Sequence, residues 1–338
     1  MNDLIIETDN FHAYQNDKTF YTDEYTRILN NNFPAMKYKR RLCENKTTVK
    51  YGQLKLLISE IEFITICLKK LNHTNDIVLI YAGAAPGTHI NSLYKMFPFI
   101  EYVLVDPREF NIKNKKNIIL INKFFDENLA RKLKIKYKNK IILFVSDIRT
   151  LDIKGNRELG IVHDNENQRK WYNILKPYMS MLKFHLPYSD NEIPNKIEYL
   201  DGDIYFQSFA GQTSSETRLY VSQDAKLKIY DCIKYENQMF YFNNFYRTLL
   251  FKHDIKLKNI DHCYDCYTFI YVLKEYINYM KSKLSIDYYI NMIYNDIYAY
   301  NKIIIVNLNN KIYRYNYTNN VNGKIKLKYN LECDINYR

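Results

Sequence analysis

The sequence predicts an α/β fold: a doubly wound parallel sheet with helices on both faces and additions at each end. Three observations predict it. The run Ile77-Val78-Leu79-Ile80-Tyr81-Ala82 is apolar and largely β-branched; it enters the small-residue turn Gly83-Ala84-Ala85-Pro86-Gly87, and apolar residues at helical spacing (Ile90, Leu93, Met96, Phe97) leave it. Three further strand-like runs, 102–105, 117–121 and 140–145, alternate with helical or basic segments, as β-α-β crossovers do. A chain of 338 residues is long enough to bury a large core.

Residues 1–45 read as an irregular arm carrying the basic cluster Met36-Lys37-Tyr38-Lys39-Arg40-Arg41. The sheet domain is expected over 46–300. It opens with a helix over 52–71, where Leu54, Leu57, Ile61, Ile64 and Leu68 share one face. After the four strands already named, others are expected near 181–187, 203–208 and 217–222. Residues 171–182 read as helical from Ile174, Tyr178 and Met181, with Pro177 kinking or shortening the helix. Residues 239–300 are aromatic-rich and mostly helical in pattern. The extension 301–338 alternates apolar and polar residues around Asn309-Asn310 and Asn322-Gly323, the pattern of a small β-meander. There is no internal repeat and no Pro/Gly/Ser linker, so one domain with terminal additions is expected.

The formal charge of +12 suits a polyanionic partner such as nucleic acid. Tyr (34) and Phe (18) interleaved with Lys offer rings for base stacking, although an AT-rich genome would produce the same Asn-, Lys-, Ile- and Tyr-rich composition. Six scattered cysteines form no framework and fit a reducing compartment. Cys263-Tyr264-Asp265-Cys266 beside His262 has no second pair at zinc spacing, so no metal is expected. No apolar run reaches about 18 residues and the N-terminus lacks an apolar signal core, so neither a membrane span nor a leader is expected.

The chemistry should lie at the carboxyl ends of the strands, where open α/β sheets bind ligands. The turn at 83–87 is not G-x-G-x-x-G, and Pro86 breaks a pyrophosphate cradle; its form resembles the S-adenosylmethionine loop of RNA 2′-O-methyltransferases. Asp106 ends the run Tyr102-Val103-Leu104-Val105, where an acid can hold both hydroxyls of a cofactor ribose. Asp147 follows the strand at 140–145, with Arg149 near enough to pair with it.

Five fragments occur in a fixed order: Tyr51-Gly52-Gln53-Leu54-Lys55-Leu56-Leu57, the 84–90 loop, Ser146-Asp147-Ile148-Arg149, Leu182-Lys183, and Ser215-Glu216-Thr217-Arg218-Leu219. In that order they resemble the poxvirus cap-specific mRNA 2′-O-methyltransferase family, whose members are also small stimulatory subunits of the viral poly(A) polymerase. The resemblance runs from about 51 to 242, with weaker traces over 264–277. The composition would suit an insect poxvirus. The resemblance implies a Rossmann-like methyltransferase sheet and a catalytic tetrad of Lys55, Asp147, Lys183 and Glu216. A ribose hydroxyl must lose its proton as it attacks a sulfonium methyl, and a lysine can take that proton only when burial or a second cation depresses its pKa. Lys183 is expected to be the base and Lys55 the neighbouring cation, with the two acids orienting them.

The resemblance also implies S-adenosyl-L-methionine as cofactor, held by Gln53, Tyr81, Gly83, Ala85, Pro86, Gly87, Asp106, Arg108, Phe125 and Asp147. Phe125 stands where the family has a smaller aliphatic residue. A 7-methylguanine cap, a flat cation, would be gripped by Tyr188 with Asp190 and Glu236 reading its edge. The opposing ring would come from the arm, with Tyr25 chosen and Tyr21 or Tyr38 close alternatives. The implied partners are capped mRNA and the catalytic subunit of the polymerase as a heterodimer, with no membrane, in the virion and host cytoplasm. The alternative is a non-catalytic RNA-binding, processivity subunit only.

Overall fold

The computed structural model describes residues 24–39, 49–72, 76–112, 115–150, 156–188, 193–211, 214–257, 260, 262–298, 302–308, 311–319, 325–327 and 332–334. The elements of its first half are α1 (Val49–Leu71), β1 (Ile77–Ala82), α2 (Ile90–Met96), β2 (Glu101–Val105), β3 (Ile118–Ile121), α3 (Glu127–Lys136), β4 (Ile141–Ser146), α4 (Arg157–Leu175) and β5 (Met179–Phe184). Then come β6 (Lys196–Leu200), β7 (Asp203–Tyr205), β8 (Thr217–Ser222), β9 (Leu227–Asp231), α5 (Cys232–Tyr241), a π-helix (Phe242–Leu250), α6 (Tyr264–Met280) and α7 (Ile286–Tyr298).

Seven strands make one sheet in the order β3-β2-β1-β4-β5-β8-β7. The first five are parallel, while β8 and β7 form antiparallel pairs. Alternation along each strand splits the core in two. In β1, Ile77, Leu79 and Tyr81 face a layer with α1, α2, α6 and α7, whereas Val78, Ile80 and Ala82 face one with α3, α4 and α5. The apolar face expected of the first helix is fully buried, from Leu54 to Leu68. The arm also contributes: Leu29 and Phe33 pack into the second layer.

One expected element is corrected. The helix predicted over 171–182 is the end of α4 followed by β5. Lys176 turns left-handed (φ 44°), its N–H closes on Tyr172 O at 2.8 Å, and Pro177 cannot continue the helix. Ile174 packs into one core layer and Met181 into the other, so their helical spacing is fortuitous. The ribbon of β6 and β9 has no counterpart in the sequence pattern. Within the extension, β10 (Lys302–Leu308), β11 (Lys311–Asn319), β12 (Ile325–Leu327) and β13 (Glu332–Asp334) form an antiparallel sheet. Cys263 caps α6, its Sγ accepting from Cys266 N at 3.4 Å. Among the described residues no helix is long and apolar enough to cross a membrane, and no His/Cys/Asp/Glu group could hold a metal.

Candidate active site

Chain direction gathers the candidate residues at one edge of the sheet. Gly83, Asp106 and Asp147 directly follow β1, β2 and β4, and Lys183 is next to last in β5. Because β8 is antiparallel to β5, its beginning lies at the same edge: Phe184 is in register with Thr217 and Lys183 with Arg218. Glu216, one residue before β8, therefore arrives beside Lys183. Lys55 reaches the same point from α1.

The four expected tetrad residues form one largely buried charge cluster. Lys183 Nζ lies 3.0 Å from Asp147 Oδ1 and 3.4 Å from Glu216 Oε2. Lys55 donates to Glu216 Oε1 at 2.8 Å. Two arginines complete the cluster. Arg218, to which the sequence pattern assigns no role, has its side chain 1% exposed and bridges Asp147 (2.7 Å) and Glu216 (3.3 Å). Arg149 pairs with Glu216 at 3.1 Å rather than with Asp147, which corrects the expected pairing. With its amide oriented to suit both neighbours, Gln207 donates to Glu216 Oε1 at 3.0 Å and accepts from Arg218 Nε at 2.8 Å.

Four cations thus share two carboxylates. Burial would raise the Asp147 carboxyl, but Lys183 and Arg218 outweigh it and hold it below the usual value. Burial would likewise raise Glu216, and Lys183, Lys55, Arg218 and Arg149 hold it well below. Burial lowers the Lys55 ammonium, Glu216 opposes that, and Arg218 adds to it. Both acids therefore remain ionised at neutral pH, in contact with lysines in a poorly solvated place.

The loop after β1 is bound to the strand ends by its own backbone. Gly83 N donates to Val105 O at 2.8 Å, and Ala85 N to Asp106 Oδ2 at 3.1 Å. Asp106 is 3% exposed, and Arg108 reaches back to it through Nε and Nη2, each at 3.0 Å. Arg108 Nη2 also donates to Ala85 O at 2.8 Å, so one exposed guanidinium spans the loop and the acid. Pro86 stands half-exposed beside them. Gln53 and Tyr81 are turned inward. Gln53 Oε1 accepts from Thr88 Oγ1 and lies 2.8 Å from His89 Nδ1, tying α1 to the start of α2. Tyr81 is fully buried in the core. Phe125 packs on Trp171 (4.8 Å between centroids) and Phe144 (5.8 Å); Phe124 beside it is 76% exposed.

Gly83 and Gly87 both have positive φ (83° and 69°). A Cβ on Gly83 would sit 2.9 Å from the Asp147 carbonyl carbon and oxygen. Gly83→Ala is expected to cost about 1–2 kcal/mol for the left-handed backbone alone, and to push the loop off Asp147. A lowered melting temperature together with at least tenfold weaker cofactor binding by calorimetry is the expected result (about 1.4 kcal/mol per factor of ten); unchanged affinity would remove Gly83 from the site.

A second constellation lies beside the cluster. Tyr188 and Tyr38 face each other with centroids 6.1 Å apart and planes inclined at 29°. The arm's partner for Tyr188 is thus Tyr38, not Tyr25. Tyr25 lies in an aromatic cluster with Phe251, Tyr264, Tyr267 and Tyr271, its hydroxyl donating to Thr268 at 3.0 Å. Tyr38 is fixed from α5, its N–H donating to Asn237 Oδ1 at 3.0 Å and its ring packing edge-on against Phe240. Rings in contact with a flat group on both faces stand about 7 Å apart, from ~3.5 Å per contact, so a small outward shift of the arm would admit one.

Two acids flank these rings. Glu158, which no sequence motif singles out, accepts the Tyr188 N–H at 2.7 Å. Burial, then the charge of Glu158, raise the Glu236 carboxyl above its ordinary value. Asp190 and Tyr21 lie outside the described residues. Beneath Tyr188, the buried His185 contacts Ser215 Oγ at 2.6 Å. Burial and the nearby Arg149 lower its pKa to about 3, so it is neutral.

The family model described as the poly(A) polymerase regulatory subunit matches residues 17–297. A fowlpox virus cap-specific mRNA (nucleoside-2′-O-)-methyltransferase is 34% identical over 256 residues, covering 71% of this chain and 81% of its own. The protein of that name from myxoma virus strain Lausanne is 32% identical over 212 residues, covering 58% of this chain and 61% of its own. Among solved structures, a bluetongue virus protein described as a multifunctional RNA-capping production line aligns with a TM-score of 0.40 at 12% identity, over 71% of this chain and 40% of its own.

Proposed function

The chain belongs to the poly(A) polymerase regulatory subunit family and is a homologue of poxvirus cap-specific mRNA 2′-O-methyltransferases, and from that premise we propose that it methylates the ribose 2′-hydroxyl of the first transcribed nucleotide of capped mRNA. The observation that carries this reading is the Lys55–Glu216–Lys183–Asp147 cluster at the carboxyl edge of the sheet, beside a pair of facing rings flanked by acids.

The 83–87 loop fits S-adenosylmethionine as methyl donor: it is poor in side chains, two of its residues need positive φ, and Asp106 stands at the tip of the adjoining strand. Gly83, Ala85, Pro86, Gly87 and Asp106 would hold the donor, with Arg108 moving off the acid to expose it. When bound, it supplies a methyl group already activated on a sulfonium. What remains for the protein is alignment and one proton. Lys183 would first release its own ammonium proton to solvent and then, as a neutral amine, take the proton of the 2′-hydroxyl on Nζ. Asp147 and Glu216 orient that amine, and Lys55 and Arg218 share the acids with it, so neither carboxylate is committed to Lys183 alone. Catalysis accounts for two lysines enclosed with two acids at the ligand-binding edge of the sheet, which a binding platform does not require.

The cap would enter between Tyr38 and Tyr188, with Glu236 and Glu158 beside its edge; stacking and cation–π attraction both favour the methylated, positively charged base. The family description, poly(A) polymerase regulatory subunit, supports a second role, and we propose that this chain fills it as partner of the polymerase catalytic subunit. Tyr188→Ala should weaken capped RNA by about tenfold or more, since base–aromatic stacking is worth roughly 1–3 kcal/mol. Uncapped RNA, held through phosphates, should bind that variant as before and remain salt-dependent. Equal losses for both RNAs in a binding titration would move the cap pocket elsewhere.

A further inference from the structure

Three consecutive residues of α5 reach three different parts of the site. Tyr235 points inward and is 4% exposed. Its hydroxyl lies 2.5 Å from the Ser215 carbonyl, to which it donates, and 2.9 Å from Thr217 Oγ1. Those groups stand on either side of Glu216. The ring packs edge-on against Phe184, the residue after Lys183, at 5.6 Å. Glu236, next in the helix, lies at the cap pocket. Asn237 accepts the N–H groups of Met36 (3.1 Å) and Tyr38 (3.0 Å), which sets the ring opposite Tyr188. The π-helix after α5 adds two grips on the segment leading to Glu216. Asn243 Nδ2 donates to Ser214 O and Arg247 Nη2 to Ala210 O, each at 2.8 Å.

We infer that Tyr235 is a positioning residue: it fixes Glu216 against Lys183 and, through α5, sets the span between the cap pocket and the reacting ribose. The inference rests on the methyltransferase reading above. Tyr235 touches neither substrate nor cofactor in this account. It acts by holding both flanks of Glu216, and a displacement there of a fraction of an ångström is enough to slow a reaction that depends on alignment. Because the span is set by adjacent residues of one helix, it also bears on which nucleotide is methylated.

Tyr235→Phe keeps the ring and its packing and removes only the hydroxyl. With capped RNA, kcat is expected to fall about tenfold, while KM and the affinity for 7-methylguanosine nucleotide stay within about twofold. Thr217→Val, which removes one of the hydroxyl's two partners, should lower kcat less. The double variant should be no worse than Tyr235→Phe, because coupled sites are not additive. An unchanged kcat in Tyr235→Phe would overturn the role, as would losses in kcat, KM and melting temperature together, or full additivity in the double variant. A parent protein that fails to methylate capped RNA would overturn the reading beneath it instead.

Discussion

Lys183→Ala is expected to reduce methyl transfer by about 10²–10⁴-fold, the range associated with a positioned general base. Affinity for capped RNA should be nearly unchanged, as expected of an amine proposed to act in the transition state rather than in binding. The fold should survive. Without Lys183, Asp147 still has Arg218, and Glu216 still has Lys55, Arg149 and Arg218. Lys183→Arg should fail almost as badly: its charge can still serve both acids, but a guanidinium does not give up its proton at usable pH. Single-turnover rates and binding titrations on the same preparations separate these effects. An active arginine variant would show that the proton goes elsewhere.

The second large effect is structural in origin. Arg218 is the most enclosed charge of the cluster and contacts both acids. Arg218→Met should cost about 3–5 kcal/mol at neutral pH, the penalty for removing one partner from a buried ion pair. The loss should depend on pH, with a sign fixed by the acids. Asp147 and Glu216 titrate below their ordinary values in the folded protein. Their contribution is therefore fully present above the unfolded carboxylate range, and it is lost as pH falls through the folded values. The stability gap between parent and variant should be widest near neutrality and should narrow on acidification. Urea unfolding at several pH values measures this, and a gap independent of pH would mean that the ion pairs are not its source.

The strand–loop–helix at 77–90 is legible in the sequence because apolar runs and small-residue turns are local signals. Asp106, Asp147 and Lys183 are legible because strand ends can be read from those runs. Arg218 falls inside a recognisable motif without an evident role, although Glu216 and Arg218 are two residues apart and so fall on one face of a strand. Two opposite charges at that spacing leading into an apolar run is the signal that could find it. The choice of Tyr25 over Tyr38 fails because the arm has no periodicity. Its register is set by the backbone of Met36 and Tyr38 on Asn237, some two hundred residues away, and no local pattern encodes that. Glu158 is hidden for the same reason: α4 brings it to Tyr188 from outside the motif. The helix expected over 171–182 fails because Pro177 outweighs three apolar residues at suggestive spacing.

The most direct test of the central claim is methyl transfer from isotopically labelled S-adenosylmethionine to short RNAs that differ only in carrying a 7-methylguanosine cap, an unmethylated guanosine cap or none. Label is expected on the methylated-cap RNA alone, at the 2′-oxygen of the first transcribed nucleotide, where it protects the adjoining phosphodiester from alkaline cleavage. No transfer, equal labelling of capped and uncapped RNA, or label on a base rather than a ribose would contradict it.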